Sequence, residues 1–113
     1  EPQLLNSRDA DILLATKYIY KNYKKPLSLD EVSAQAALSP TYFSKKFKLV
    51  TGMGFKEYLN FVRLKHAQTA LLTTSNTITD IALENGFSDS NYFKDLFKKV
   101  YGKSPREFRK HPE

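Results

Sequence analysis

Cysteine and tryptophan are absent from this chain, and methionine occurs once. Without cysteine there is no disulfide framework, no thiolate metal site and no thiol nucleophile. Long apolar runs are also missing. No stretch approaches the roughly 20 residues that span a bilayer, and Glu1 to Asp11 lacks the basic start and apolar centre of a signal peptide. A cytoplasmic protein, or a domain excised from one, is the expectation. Glycine occurs four times, and Gly52-Met53-Gly54 lacks the strand and later glycine of a nucleotide-binding loop, so it reads as a helix stop. His66 and His111 have no carboxylate or second histidine at metal-ligand spacing, and no nucleophile sits with a base. Neither a cofactor, a metal nor an enzymatic activity is expected. Acidic residues are the minority, 12 against 18 Lys and Arg, for a net charge of +6 and a pI near 9.5. That balance favours a polyanionic partner.

What is present is enough for a packed core: 113 residues, 41% hydrophobic and 13% aromatic. The aromatic residues fall mainly at helical core spacings, which argues against a stacking platform for single strands. The longest uninterrupted helical pattern runs from Phe55 to Leu72. Its apolar positions Phe55, Tyr58, Leu59, Val62, Leu64, Ala67, Ala70, Leu71 and Leu72 predict a rigid spacer helix burying one stripe.

Residues 1–8 are polar, carry no periodicity and read as the end of a linker. From Asp9 to Tyr23, Ile12, Leu13, Ala15, Ile19 and Tyr23 predict an amphipathic helix ended by Lys24, Lys25 and Pro26. A second, short helix through Ala36 starts at Ser28, with Glu31 placed to close a capping box and Leu27 to staple onto Val32. Ser39 and Pro40 open a third, which stops at Gly52. Two short helices about three residues apart are the sequence form of a helix-turn-helix.

The pattern then returns. Leu29, Val32, Ala37, Leu38 and Ser39 lie 49 residues before Ile78, Ile81, Gly86, Phe87 and Ser88. Tyr42, Phe43, Phe47, Val50, Gly52 and Glu57 lie 50 residues before Tyr92, Phe93, Phe97, Val100, Gly102 and Glu107. One structural unit therefore occurs twice, with one extra residue in the second turn. Ser104, Pro105 and Glu107 signal a last short helix leading to Phe108. The expected organisation is a linker at 1–8, a first unit at 9–53, a linker helix at 54–75 and a second unit at 76–113.

At about 100° per residue, Phe43, Phe47 and Val50 cluster on the buried side of the third helix, opposite Thr41, Ser44, Lys45 and Lys48. In the second copy Phe93, Phe97 and Val100 are buried, opposite Asn91, Lys94, Asp95 and Lys98, with Ser90 on the flank. A lone face of this kind is most simply a solvated surface. Small residues alternating with lysine, on two copies of a helix-turn-helix, point instead to base edges with phosphate contacts at the periphery. Candidate DNA-contact residues are Pro40, Thr41, Ser44, Lys45, Lys48, Ser90, Asn91, Lys94, Asp95 and Lys98. A helical protein-interaction module with solvated basic faces is the competing class.

The residues Leu38-Ser39, Tyr42-Phe43-Ser44, Phe47-Lys48, Arg63-Leu64, Ala67, Leu71-Leu72, Ile78, Ile81-Ala82, Gly86-Phe87-Ser88-Asp89, Tyr92-Phe93, Phe97-Lys98-Lys99, Gly102, Ser104-Pro105 and Phe108-Arg109 closely resemble the DNA-binding domain of AraC/XylS-type bacterial transcription regulators. The resemblance covers about residues 9–110. It implies an all-α fold of seven helices, two helix-turn-helix subdomains joined by a long linker helix, and both recognition helices in successive major grooves of double-stranded promoter DNA. It also implies an upstream effector-binding or dimerisation domain, contact with RNA polymerase and an activator's role. Two positions depart from the family pattern. Asp95 stands where Arg or Lys is most frequent, and Ala37 stands where the second copy has Gly86, which predicts a strained or differently shaped first turn, since a left-handed alanine costs about 1 kcal/mol relative to glycine. For Asp95 the favoured expectation is a carboxylate turned aside to Lys99 or Asn91; acceptance from a cytosine amino group is the second.

Overall fold

The computed structural model describes residues 9–113; the expected linker at 1–8 lies outside them. Among the described residues there are seven helices and no strand: α1 (Ala10–Asn22), α2 (Leu29–Gln35), α3 (Pro40–Thr51), α4 (Phe55–Thr73), α5 (Ile78–Glu84), α6 (Ser90–Tyr101) and α7 (Pro105–Lys110). The chain divides between Phe61 and Val62 into two compact units, so the boundary falls inside α4.

In the first unit, α1 buries Ile12, Ala15 and Ile19. Leu13 is exposed, against expectation. Helical geometry explains it: Leu13 sits about 100° round from Ile12 and off the stripe. The Ser28 hydroxyl caps α2 by accepting from the Glu31 amide at 3.0 Å. The expected capping box does not close. The Glu31 carboxylate instead accepts from the Tyr18 hydroxyl and lies 3.4 Å from Lys25 Nζ, because a nearby cation and a phenol compete for it more strongly than a backbone amide.

Between α2 and α3, Ala37 adopts φ 55°, the strained left-handed conformation, rather than a differently shaped turn. Its amide donates to Ala34 O at 3.1 Å, and Leu38 N donates to Ser33 O at 3.2 Å. The second unit makes the same turn 49 residues later: Gly86 (φ 99°) donates to Leu83 O at 3.2 Å and Phe87 N to Ala82 O at 3.0 Å. The cap then moves. Ser39 caps α3, whereas the extra residue leaves Asp89 to cap α6 through the Asn91 amide at 2.8 Å. Helices α3 and α6 both stop at a left-handed glycine, Gly52 and Gly102.

The cores correspond as closely as the turns. Phe43 and Phe47 are fully buried, and Phe47 meets Tyr58 edge-on at 5.2 Å between ring centroids. Fifty residues later Phe93 and Phe97 are fully buried, and Phe97 meets Phe108 edge-on at 5.5 Å. The second core is completed by Leu64, Ala67, Leu71, Ile81, Ala82 and Phe87.

Helix α4 carries two stripes rather than the expected one. Phe55, Tyr58, Leu59 and Val62 are buried at three- and four-residue spacing; Leu64 then breaks the pattern, and Leu64, Ala67 and Leu71 restart it. Leu72 is exposed. The repeat explains the break. The start of α4 corresponds to α7, Tyr58 matching Phe108, while Leu64, Ala67 and Leu71 repeat the spacing of Ile12, Ala15 and Ile19 in α1. In effect α4 is the last helix of one unit welded to the first helix of the next.

Candidate nucleic-acid interface

Each candidate face rests on a helix fixed from within. Phe43 and Phe47 anchor α3, and Thr51 locks its end by donating to Phe47 O at 2.7 Å while accepting from Met53 N at 3.2 Å. In α6 the anchors are Phe93 and Phe97, with Leu96 and Tyr101 packed against the same core. Val100 was expected in this stripe and is 54% exposed. The core closes on the other flank of the last turn, where Tyr101 lies 4.6 Å from Phe97 and 6.3 Å from Phe108.

On the opposite sides the fold brings the candidates together as two matching surfaces. Pro40, Thr41, Ser44, Lys45 and Lys48 are exposed on α3; Asn91, Lys94, Asp95 and Lys98 are exposed on α6, with Ser90 half-buried at its start. The three lysines of α3 look alike in sequence, yet Lys46 does not belong to this face. Its ammonium lies 2.8 Å from Asp11 Oδ2 on α1, and that hydrogen bond raises its pKa above the usual lysine value. For Asp11, burial pushes the carboxyl up, but the bonds from Lys46 and the Ile12 amide together outweigh it and leave it below the usual aspartate value. Lys46 is therefore a strut between α1 and α3. Its counterpart in α6 is Leu96, which is half-buried against the second core.

Asp95 forms neither of the bonds favoured for it. Among the described residues its carboxylate pairs with no lysine and accepts nothing from Asn91. The Asn91 backbone amide donates to Asp89 in capping α6, and the Asp95 side chain stays exposed on the outer face.

Two cationic residues that helical periodicity alone passed over adjoin these faces. A cleft beside α3 is lined by Leu27, Ser28, Leu29, Ser44, Gly54, Phe55, Lys56 and Glu57. Beside α6, Ile78, Lys94, Ser104, Pro105 and Arg106 line another. Ser44 corresponds to Lys94 and Lys56 to Arg106, each 50 residues apart, so both clefts occupy one place in the repeated unit. The offset was the signal that could have found them. Among the described residues no group of His, Cys, Asp and Glu is placed to hold a metal ion, and no helix is long and apolar enough to cross a membrane.

Comparison with known proteins bears on these surfaces. A family profile described as a helix-turn-helix domain matches residues 32–111. An uncharacterized HTH-type transcriptional regulator of Staphylococcus aureus (strain MSSA476) is 41% identical over 92 residues, which are 81% of this chain but 12% of that protein. The chain thus spans about an eighth of that relative's length. A probable AraC family transcriptional regulator from Rhodopseudomonas palustris CGA009 superposes with a TM-score of 0.82 at 26% identity, over 89% of this chain and 95% of that one. The DNA-binding domain of AdpA, crystallised with a target DNA, superposes with a TM-score of 0.84 over 91% of this chain and 97% of that one; at 20% identity it shows the shared fold.

Proposed function

Because the chain belongs to the AraC-type helix-turn-helix family of bacterial transcription regulators, we propose that it binds operator DNA with α3 and α6 in successive major grooves. One observation carries the reading. An exposed polar face with two lysines recurs on both units, backed by two buried phenylalanines and ended by a left-handed glycine, although nothing in core packing requires the outer surfaces to agree.

In this reading Lys45, central on its face, reaches a guanine edge, and the exposed Asn91 side chain reaches an adenine. Thr41, Ser44 and Lys94 flank them, while Pro40 and Ser90 bring the helix starts close. Lys48, Lys98, Lys56 and Arg106 take phosphates at the periphery. Asp95, with no partner of its own, is assigned the amino group of a cytosine. An upstream effector or dimerisation domain and contact with RNA polymerase, in an activator acting in the cytoplasm, complete the proposal. The small share of the relative's length that this chain covers leaves room for such a domain.

Duplex binding at two salt concentrations, followed by selection from a random duplex pool, tests the proposal. Steep loss of affinity with salt and a recovered consensus are expected. Negligible binding at either salt concentration would leave a protein-interaction module as the better account.

A further inference from the structure

We infer that Leu49 is a specificity-determining residue of the first unit, an apolar reader of the 5-methyl group of thymine. The inference rests on the duplex-DNA reading above and adds to it the identity of one base. Leu49 is 84% exposed, more than any other large hydrophobic residue described. A single exposed leucine is ordinary; its surroundings are not. It lies one turn after Lys45 and next to Lys48, and with Ser44 these residues line one shallow depression on the outer side of α3.

The walls of that depression are the methylene stems of two lysines and an isobutyl group, with ammonium groups and a hydroxyl around it. Such a seat suits a flat edge bearing one methyl beside strong acceptors. In the major groove the one apolar group is the thymine methyl, and the strongest paired acceptors are guanine O6 and N7. A protein partner fits less well, since the centre of a protein interface is depleted of charged side chains. The fold does not require leucine here either, because α6 has Lys99 in its place. The first unit is thereby assigned a thymine next to the guanine read by Lys45, and the second unit has no equivalent preference.

The test takes the consensus selected by the whole chain and replaces each thymine in turn with deoxyuridine, which removes only the methyl. At one position in the first unit's half of the site the substitution should weaken wild-type binding about fourfold, the value of one buried carbon. Leu49→Ala should abolish that penalty with its circular dichroism and melting temperature unchanged. Leu49→Lys, importing the residue of α6, should lose the preference while binding non-specific DNA more tightly. Uridine tolerated at every position, or a penalty that persists in Leu49→Ala, would overturn the inference while leaving the DNA-binding reading intact. Failure to select any sequence would instead remove the reading on which it rests.

Discussion

Lys45, Lys46 and Lys48 lie within four positions of one helix, and their surroundings assign them different tasks. Lys45→Ala is expected to weaken specific binding by about 1–3 kcal/mol and to change the selected base at one position. For Lys48→Ala the loss should be nearly uniform across sequences, with a shallower salt dependence. Lys46→Ala, which cuts the bond to Asp11, should lower the melting temperature and leave the salt dependence of DNA affinity alone. Equal effects of all three on the selected consensus would refute this division. Asp95→Arg replaces an exposed carboxylate on a face assigned to a polyanion, so non-specific affinity should rise and fall more steeply with salt. An unchanged salt profile would show that α6 does not face the DNA. Ala37 and Gly86 make the same left-handed turn with different residues. Ala37→Gly should therefore stabilise the fold by about 0.5–1 kcal/mol, and Gly86→Ala destabilise it by about 1 kcal/mol or more, measured by urea denaturation.

At the scale of the helix, the same Ser-to-Glu spacing reaches different ends. Ser28 and Glu31 have the spacing of Ser104 and Glu107, and both serines cap as their position predicts. Only at α7 does the glutamate return to the cap amide, at 3.1 Å. Cap positions were legible because the hydroxyl and the free amides are three residues apart in the chain. The fate of Glu31 was not, because its partner Tyr18 comes from another helix. The same limit hid the break in α4, where apolar spacing changes from one core to another, and the exposure of Val100, which depends on where α7 covers α6. These carboxylates also set a pH dependence. Hydrogen bonds, from the Ser104 amide to Glu107 and from the Tyr18 hydroxyl to Glu31, hold both below the ordinary glutamate value of 4.5. A folded pKa below the unfolded one gives stability that is complete above pH 4.5 and lost as pH falls through the folded values. The melting temperature should therefore be flat from neutral pH to about 5.5 and fall below about 4.5. Glu31→Gln with Glu107→Gln should flatten that fall; an unaltered acid profile in the double variant would place the sensitivity elsewhere.

For the molecule as a whole, the duplication was the most informative feature of the sequence, since offsets of 49 and 50 mark the corresponding turns, caps and aromatic pairs of the two units. The proposed reading of successive grooves by α3 and α6 predicts two protected patches about one helical turn, roughly 10 base pairs, apart. Hydroxyl-radical footprinting checks this, and a site shorter than about 12 base pairs would contradict it.

The weld at Phe61–Val62 also makes α4 a device with a phase. Every residue added just after Val62 advances the second half of the helix by about 1.5 Å and turns it by about 100°, while leaving Phe55, Tyr58, Leu59 and Val62 in one stripe and Leu64, Ala67 and Leu71 in the other. One inserted alanine should thus spare the fold of both units and their salt-dependent hold on arbitrary DNA. It should abolish the joint recognition of one operator, as a key is spoiled when its blade is twisted rather than filed. Length and timing of a single helix, more than any side chain on the reading surfaces, would then decide which spacing of half-sites this regulator accepts.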